Sequence, residues 1–432
     1  MRLSLSYIKS VLRLDIVKVF SLNAVSTLVK MLTSFISIKV IAYVIGPAGI
    51  AVLGQLNNFS SIILGLSNGG ISQGITKYVA EYKESDSKVK ILLSTALKVT
   101  AFCTIVLSFL LIILHNKLSQ WILLTDEYGS VFLIFGFTIF LYSLNTLIIS
   151  ILNGYKEFKK YVIVNIVGTI IGLIFTLVFV LTLGLKGALI SAVTYQSVVV
   201  VATIFILRKL PWMHISYYKE RIDGDVLKKY FGFSLMAITT LCLSPTVQMF
   251  LRGYVMTNIS HYQAGLWEGM NRISGMYLSV IVTSFSIYYL PRLSEISDKF
   301  ELRKEIFRSY KFIIPLLLFC FLVIYIFRRF IIRLLFTPDF FPMESLFGWQ
   351  MAGDLFKIAS WLLAFLMLAK AKTMLYITTE IIFSSIFLIL GLFFVKINGI
   401  VGLTQAYLIN YILYMIIMVI VFRKLLFNIS ST

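Results

Sequence analysis

Runs of about twenty apolar residues recur along the chain from Phe20 to Phe422, and this recurrence constrains the fold more than any other feature. Each run is long enough to cross the roughly 30 Å hydrocarbon core of a bilayer as an α-helix. The strands of a membrane β-barrel would instead alternate apolar and polar residues over about ten positions, and no run alternates in this way. The 59% of hydrophobic and 13% of charged residues also indicate a chain that lies mainly in lipid. The sequence therefore predicts an all-α membrane protein.

The apolar runs divide the chain into about twelve transmembrane helices in two six-helix lobes. We place the spans near residues 20–45, 50–75, 91–114, 131–153, 161–183, 187–207, 230–254, 264–290, 312–335, 343–369, 374–395 and 400–422. The predicted domains are a cytoplasmic amphipathic lead-in (1–19), an N-terminal lobe (20–209), a cytoplasmic linker (210–229), a C-terminal lobe (230–424) and a cytoplasmic tail (425–432).

The basic residues between the spans are distributed unevenly. With the N-terminus in the cytoplasm, cytoplasmic segments hold 27 Lys and Arg residues and the opposite side holds six. Because positive residues are retained on the cytoplasmic side, this bias predicts a multi-pass inner-membrane protein with both termini in the cytoplasm. The net charge of +20 has the same origin, and it does not indicate binding to nucleic acid.

The two halves of the chain resemble each other at an offset of about 215 residues. Gly187 corresponds to Gly402, and Arg208-Lys209 corresponds to Arg423-Lys424. Ala48-Gly49-Ile50 recurs as Ala264-Gly265-Leu266. Since each half contains an even number of spans, the lobes are expected to share one orientation and to be related by a pseudo-two-fold axis along the membrane normal. This is a transporter architecture, with the substrate path between the repeats.

Several charged residues fall inside the predicted spans, where a charge at the bilayer centre costs on the order of 3 kcal/mol unless it faces a cavity or a partner. The basic residues are Lys30, Lys39, Lys98, Arg252, Arg272 and Lys357, and the acids are Glu268 and Asp354. The excess of positive charge favours an anionic substrate, because phosphate oxygens accept charge-assisted hydrogen bonds from Lys and Arg. Aromatic residues, at 15% of the chain, are also compatible with sugar stacking or with interfacial belts.

Each of these charges also has a structural interpretation. Lys30 lies near mid-membrane and favours a cavity, whereas Lys39 and Lys98 lie nearer to helix ends, from which long side chains reach the interface. Arg252 has no acid within one turn, so that an interfacial and a lumenal position are both open. The spacings Glu268–Arg272 (i,i+4) and Asp354–Lys357 (i,i+3) allow ion pairs along one helix face. The alternative for each acid is a change of protonation that couples transport to proton movement.

No motif of a soluble enzyme is present. The three cysteines lie inside apolar runs and the three histidines lie in or near loops, without the spacing of a metal site or of a catalytic triad. A phosphate-binding Gly-x-x-x-x-Gly-Lys-Ser/Thr loop is also missing from the sequence. We therefore expect a transporter with no catalytic residue, no metal and no cofactor.

Several segments resemble the Wzx-type flippases of Gram-negative bacteria, which share a superfamily with multidrug extruders. The segments are Ser26–Lys30, Gly46–Gly49, Gly74–Tyr82, Ser284–Pro291, Trp349–Lys357 and Leu368–Ala371. The resemblance runs nearly end to end and is greatest to the flippases of the enterobacterial common antigen unit, with looser similarity to those of O-antigen units.

The resemblance implies a substrate and a set of contacts. The substrate would be an undecaprenyl-pyrophosphate-linked oligosaccharide that moves from the cytoplasmic to the periplasmic leaflet through a cationic lumen. Polysaccharide polymerase and chain-length proteins would be partners, beside membrane lipid. The resemblance implies site residues at positions that match the motifs of the family. These are Lys77 and, from the charged residues above, Lys30, Lys39, Arg252, Asp354 and Lys357. Glu268 and Arg272 match no motif of the family.

Two other interpretations stay open at the level of sequence. An ion-coupled exporter of small molecules would have the same fold, although such extruders place an acid in the first helix, and this chain has lysines there. A membrane polymerase or ligase that acts on the same lipid would carry large periplasmic loops. The outer loops predicted here are short, which disfavours an enzyme.

Overall fold

The computed structural model describes residues 15–296, 298–370 and 372–427. The predicted lead-in therefore lies outside the described residues as far as residue 14, and the predicted tail does so from residue 428. The longer helices are α1 (Asp15–Ser67), α2 (Ser72–Tyr82), α3 (Asp86–Ile113), α4 (Gly129–Gly154), α5 (Phe158–Leu207), α6 (Gly224–Asn258), α7 (His261–Ser284), α8 (Lys299–Ile326), α9 (Arg328–Leu335), α10 (Glu344–Ala369) and α11 (Thr373–Val421). Within the described ranges there is no strand. The all-α prediction is confirmed.

Three helices are far longer than a bilayer is thick, and each is broken at a glycine with a left-handed backbone. The breaks lie at Gly46 in α1 (φ 62), Gly184 in α5 (φ 57) and Gly399 in α11 (φ 58). A positive φ is accessible to glycine without steric penalty, so the chain can turn there without a loop. Each break falls between two predicted spans, which confirms the division of these long apolar stretches into pairs of membrane helices.

The breaks in α5 and α11 also confirm the internal repeat. Gly184 and Gly399 differ by the predicted 215 positions, and so do Gly187 and Gly402. A Cβ atom on Gly187 would lie 1.8 Å from the carbonyl oxygen of Phe179, and one on Gly402 would lie 2.1 Å from that of Phe394. The same close approach therefore follows the same break in both halves.

Seven helical segments of the described chain are long and apolar enough to cross a membrane, and three of these contain the broken helices. The predicted spans 230–254 and 264–290 correspond to α6 and α7, which are more polar and are not among the seven. Their 35 and 24 residues correspond to about 52 and 36 Å at 1.5 Å per residue, which is enough to cross the hydrocarbon core.

Two predicted spans end earlier than expected. The span 50–75 stops at Ser67, because Gly69 and Gly70 adopt positive φ values before α2 begins. The span 312–335 stops at Ile326, where Phe327 leaves helical geometry before the short helix α9. The two arginines that open α9 belong to a separate amphipathic element and not to a membrane span.

The described chain forms two compact units. The first contains residues 15–44 and 59–241. Its buried core joins α2, α3 and α4 to the predicted linker, through residues such as Ile75, Leu92 and Trp212. The linker packs against α3, where Ser94 donates a hydrogen bond of 2.9 Å to the carbonyl oxygen of Tyr218 and Lys98 donates one to that of Glu220. Lys98 thus contacts the linker from the middle of α3, which begins at Asp86, and not from near a helix end as expected.

The second unit contains residues 45–58 and 242–427. The sequence assigns residues 45–58 to the N-terminal lobe, but in the structure this segment packs against α6 and α7. A Cβ atom on Gly265 would lie 1.8 Å from the carbonyl oxygen of Pro47, so the two backbones approach closely. Gln55 also donates a hydrogen bond of 3.0 Å to the carbonyl oxygen of Met249. The remaining domain boundaries stay a prediction.

Candidate functional site

Arg252 lies at the centre of a buried polar cluster in the second unit. Its side chain is fully buried near the end of α6, and its Nη2 lies 2.5 Å from Oε2 of Glu268, near the start of α7. Its Nη1 donates a hydrogen bond of 3.3 Å to Oε1 of Gln55, and the guanidinium lies 5.6 Å from the ring centroid of Trp267. The acid that partners Arg252 is therefore 16 residues away, across the turn between two helices. The spacing of charges along a single helix therefore does not reveal this partner.

Glu268 also binds a second arginine. Oε1 of Glu268 accepts a hydrogen bond of 3.2 Å from Nε of Arg272, so the predicted i,i+4 pair is present. Gly54 makes room for the carboxylate, because a Cβ atom there would lie 2.5 Å from Cδ of Glu268. One carboxylate thus serves two guanidinium groups, which leaves the buried cluster with a net charge of +1.

Asp354 forms a second polar cluster, which lies on α10 and is also completely buried. Ser274 Oγ and Tyr407 OH each donate a hydrogen bond of 2.7 Å to its carboxylate, and Tyr277 donates a third. Tyr407 can approach α10 because a Cβ atom on Gly353 would lie 2.4 Å from the tyrosine ring. The three hydroxyl groups provide the hydrogen bonds that a buried carboxylate requires.

Lys357 does not form the direct ion pair with Asp354 that the i,i+3 spacing suggests. No carboxylate among the described residues lies within 4.0 Å of its Nζ. The ammonium instead lies 5.1 Å from the ring centroid of Trp361, 5.3 Å from that of Tyr407 and 5.1 Å from that of Tyr411. The hydroxyl donors satisfy Asp354, and the aromatic faces stabilise the cation.

Lys357 lines a cavity of about 100 Å³. Aromatic faces surround the cavity, and its polar groups include Glu380, Gln248 and Asn410. A cation, an acid, amides and aromatic rings are together the groups that bind a phosphorylated sugar, through charge-assisted hydrogen bonds and stacking.

Sequence reasoning missed several residues of this cavity. Glu380 lies inside the predicted span 374–395 and should have been counted with the intramembrane acids. Tyr407, Tyr411 and Tyr414 recur at intervals of four and three, which places them on one face of a helix. That spacing was visible in the sequence and indicates a tyrosine-lined surface.

The other predicted site residues lie in the first unit, outside both clusters. Lys30 is exposed on α1, and Lys39 is half-buried nine residues later. Lys77 is exposed on α2, with its Nζ 5.0 Å from the ring centroid of Tyr78. Of the eight predicted residues, the structure groups Arg252 with Glu268 and Arg272, and it places Asp354 beside Lys357. Over the part of the chain that the structure describes, no group of three or more His, Cys, Asp and Glu side chains could hold a metal ion.

Comparison with known proteins identifies relatives that match more than nine-tenths of the chain. The lipid III flippases of Escherichia coli (strain K12) and Shigella flexneri are each 26% identical over 392 residues, which cover 91% of this chain and 94% of theirs. A solved inward-facing structure of a multidrug resistance MATE family transporter of the MOP superfamily matches with a TM-score of 0.79 at 13% identity, and the match covers 94% of this chain and 96% of that one. The protein therefore has the fold of the MOP-superfamily transporters.

The sequence also matches a protein-family model over part of its length. The model described as "Polysaccharide biosynthesis protein" matches residues 56–345, which is more than half of the chain. The chain belongs to this family of polysaccharide biosynthesis proteins.

Proposed function

We propose that the protein is a flippase that moves an undecaprenyl-pyrophosphate-linked oligosaccharide from the cytoplasmic to the periplasmic leaflet of the bacterial inner membrane. The family supports this class of substrate. So do the relatives named lipid III flippase, which match this chain over nearly their whole length. The observation in the structure that carries the proposal is Lys357, held among Trp361, Tyr407 and Tyr411 at the edge of a cavity.

The chemistry of this cavity suits the headgroup of such a lipid. A Lys ammonium donates up to three hydrogen bonds and can bind the pyrophosphate. The aromatic rings offer faces for sugar rings, and Glu380 and Asn410 can accept hydrogen bonds from sugar hydroxyls. Asp354, with its three hydroxyl partners, would orient Tyr407 or exchange a proton during the cycle.

The remaining candidate residues have different places in this proposal. Lys30, Lys39 and Lys77 would contact phosphate along the path from the cytoplasmic side, and Arg272 would do so beside Glu268. Arg252 is fully buried and bound to Glu268 and Gln55, which favours a structural role. The two lobes would alternate between inward-open and outward-open states while the prenyl chain stays in lipid. The repeat unit would belong to the enterobacterial common antigen or O-antigen class, and polymerase and chain-length proteins would act on the product.

An exporter of small molecules is the second candidate, and the likeness to the solved multidrug transporter favours it. That likeness extends to the fold alone, at 13% identity. The flippase relatives share twice this identity over a similar length, which makes the lipid-linked saccharide the better proposal.

Reconstitution in liposomes tests the two candidates. The vesicles contain an undecaprenyl-pyrophosphate oligosaccharide with a fluorophore on its sugar, and a membrane-impermeant reductant bleaches the label in the outer leaflet. We expect the inner-leaflet label to become accessible only when the protein is present. Transport of a cationic dye without flipping of the lipid would instead establish the exporter.

Two lysines of similar chemistry and different environment provide a matched comparison in the same assay. Lys357→Gln should slow flipping about tenfold or more, because a hydrogen bond to a charged group contributes on the order of 1.5 to 3 kcal/mol. Lys396 is exposed on α11, and Lys396→Gln should flip at the unmodified rate. Equal rates for the two variants would remove Lys357 from the binding site.

A further inference from the structure

A second cavity lies in the same unit, at the junction of α8, α9 and α10, and the transport path proposed above does not use it. The cavity has a volume of about 740 Å³ and opens to the outside of the protein. Its lining includes Arg328, Arg329, Glu344, Tyr325 and Trp349. This volume falls within the range of about 300–1,000 Å³ that is usual for sites that bind small molecules.

The cavity lies at the C-terminal end of α8, remote from Lys299, Arg303 and Lys304 near its N-terminal end. Helix α8 has 28 residues and is therefore about 42 Å long at 1.5 Å per residue, so Lys299 and Ile326 lie on opposite sides of a bilayer that the helix crosses. The eight residues of α9 follow and contain three arginines. These are half of the six basic residues that the sequence assigns to the outer side, where basic residues are normally few.

Two of these arginines are held side by side by one carboxylate. Arg328 Nη2 lies 2.6 Å from Oε1 of Glu344, and Arg329 Nε lies 2.7 Å from Oε2. The guanidinium of Arg328 also stacks at 4.3 Å from the ring centroid of Tyr325. The group keeps a net charge of +1, and the terminal nitrogens of Arg329 make no hydrogen bond to any described residue. Both terminal nitrogens of Arg328 have partners, Glu344 and the carbonyl oxygen of Tyr325, so the unused donors are those of Arg329, and guanidinium donors match the geometry of phosphate oxygens.

The surroundings of the arginines suit the rest of a glycolipid headgroup. Trp349 is 44% exposed and can offer its ring to a sugar, and Tyr325 is 43% exposed although Arg328 covers one of its faces. Phe330 and Leu334, one turn apart on α9, are 62% and 57% exposed. An amphipathic helix with charged residues beside exposed apolar ones is typical of the membrane interface, where a prenyl chain would lie.

This cavity is also adjacent to the one that contains Lys357. Leu408 lines the cavity that contains Arg328 and Arg329, and its neighbour in sequence, Tyr407, lines the cavity that contains Lys357. Along α10, Trp349 precedes Lys357 by eight residues, or about 12 Å of helix rise. The two basic sites therefore follow each other along α10 within one unit.

We infer that the Arg328–Arg329 cavity is an exit site, which binds the pyrophosphate of the prenyl-linked saccharide at the outer leaflet before the lipid is released. This inference rests on the proposed function and its topology. The shared chemistry is a lipid phosphate, so that a phosphatidylglycerol headgroup is the other possible source of the ligand. Glu344 would set the affinity, because it neutralises one of the two positive charges.

The experiment measures binding at this cavity directly. Ser345 lines the cavity, and a Ser345→Cys variant, in a background with the three native cysteines replaced, carries an environment-sensitive fluorophore. The purified protein in detergent is titrated with a short-chain prenyl pyrophosphate, with inorganic pyrophosphate and with phosphatidylglycerol. We expect saturable binding of the prenyl pyrophosphate, weaker binding of inorganic pyrophosphate, and little response to phosphatidylglycerol.

Three substitutions in this background test the arginine pair. Arg329→Gln should weaken binding about tenfold, because it removes one charged donor. Glu344→Gln should strengthen binding severalfold, because the local charge rises from +1 to +2, and this gain cannot result from misfolding. Arg333→Gln is the control, since Arg333 is on the same helix and does not line the cavity; it should change nothing.

The outcomes separate the inference from the proposed function. Equal effects of Arg329→Gln and Arg333→Gln, or weaker binding in Glu344→Gln, would overturn the site. Equal binding of phosphatidylglycerol would overturn its role as an exit for the transported lipid. Because the titration requires no flipping, saturable binding in a protein that fails the liposome assay would disprove the proposed function and leave the site standing.

Discussion

Replacing Glu268 by glutamine should destabilise the protein far more than the same substitution at Glu344. Each glutamate divides its two carboxylate oxygens between two arginines. The difference lies in burial: the arginine partners of Glu268 are 0% and 15% exposed in their side chains, whereas those of Glu344 are 25% and 77% exposed. The two substitutions therefore compare the same arrangement, one glutamate bound to two arginines, in a buried and in a more exposed environment.

The expected loss at Glu268 follows from the charges left behind. Glu268→Gln removes the negative charge and leaves Arg252 and Arg272 as uncompensated positive charges in the buried cluster. Breaking a buried ion pair in this way costs about 3 to 5 kcal/mol, or between about two and four powers of ten in the unfolding equilibrium. At Glu344 water screens the partners, so only a small change is expected.

Unfolding of the purified protein in mixed micelles by increasing amounts of sodium dodecyl sulfate, followed by tryptophan fluorescence, measures both losses. The double variant Glu268→Gln/Arg272→Gln provides an internal check, because it restores the original net charge of the cluster and should recover part of the stability. Similar midpoints for Glu268→Gln and Glu344→Gln would refute the argument that burial gives the Arg252 network its importance.

Three further predictions concern packing, the second cluster and topology. Gly265→Ala should lower stability or expression by forcing α7 away from Pro47, whereas Gly275→Ala should be neutral, because a Cβ atom at Gly275 meets no atom within 4 Å; thermal melting in detergent compares them. Tyr407→Phe removes a donor to Asp354 and should destabilise by about 1 to 3 kcal/mol; an unchanged unfolding midpoint would show that this hydrogen bond is dispensable. Single cysteines at positions 219 and 299 should resist an impermeant thiol reagent in intact cells, and labelling of either would reverse the proposed orientation.

The membrane spans could be predicted because hydropathy is a local property. The breaks at Gly184 and Gly399 fall between predicted spans. An apolar run and the turn that ends it each consist of consecutive residues, so both can be recognised from the local sequence. The ends of the spans were predicted less accurately. At the stop at Phe327, Arg328 pairs with Glu344 of α10 and stacks on Tyr325 of α8, and the contact with Glu344 forms only when the helices pack.

The candidate site could be predicted only as a list of unusual charges. The pair Glu268–Arg272 follows from helical spacing, but the link from Arg252 to Glu268 joins two helices and has no signature in local sequence. The spacing of Asp354 and Lys357 even gave the wrong partners, because hydroxyl groups from α7 and α11 reach the carboxylate. Which group neutralises a buried charge is decided by tertiary packing.

The glycine breaks in α5 and α11 have a consequence for the synthesis of this protein. Gly184 and Gly399 each join two membrane-length helices without a loop between them. Because no loop separates the two helices of such a pair, we expect each pair to enter the bilayer together, as one helical hairpin. Its tip carries only a few polar groups, with Lys186 near one and Lys396 near the other, so little charge would cross the membrane in the orientation that the basic residues predict. Extra residues inserted at either glycine would add polar chain to that tip and should impair membrane insertion before they affect transport.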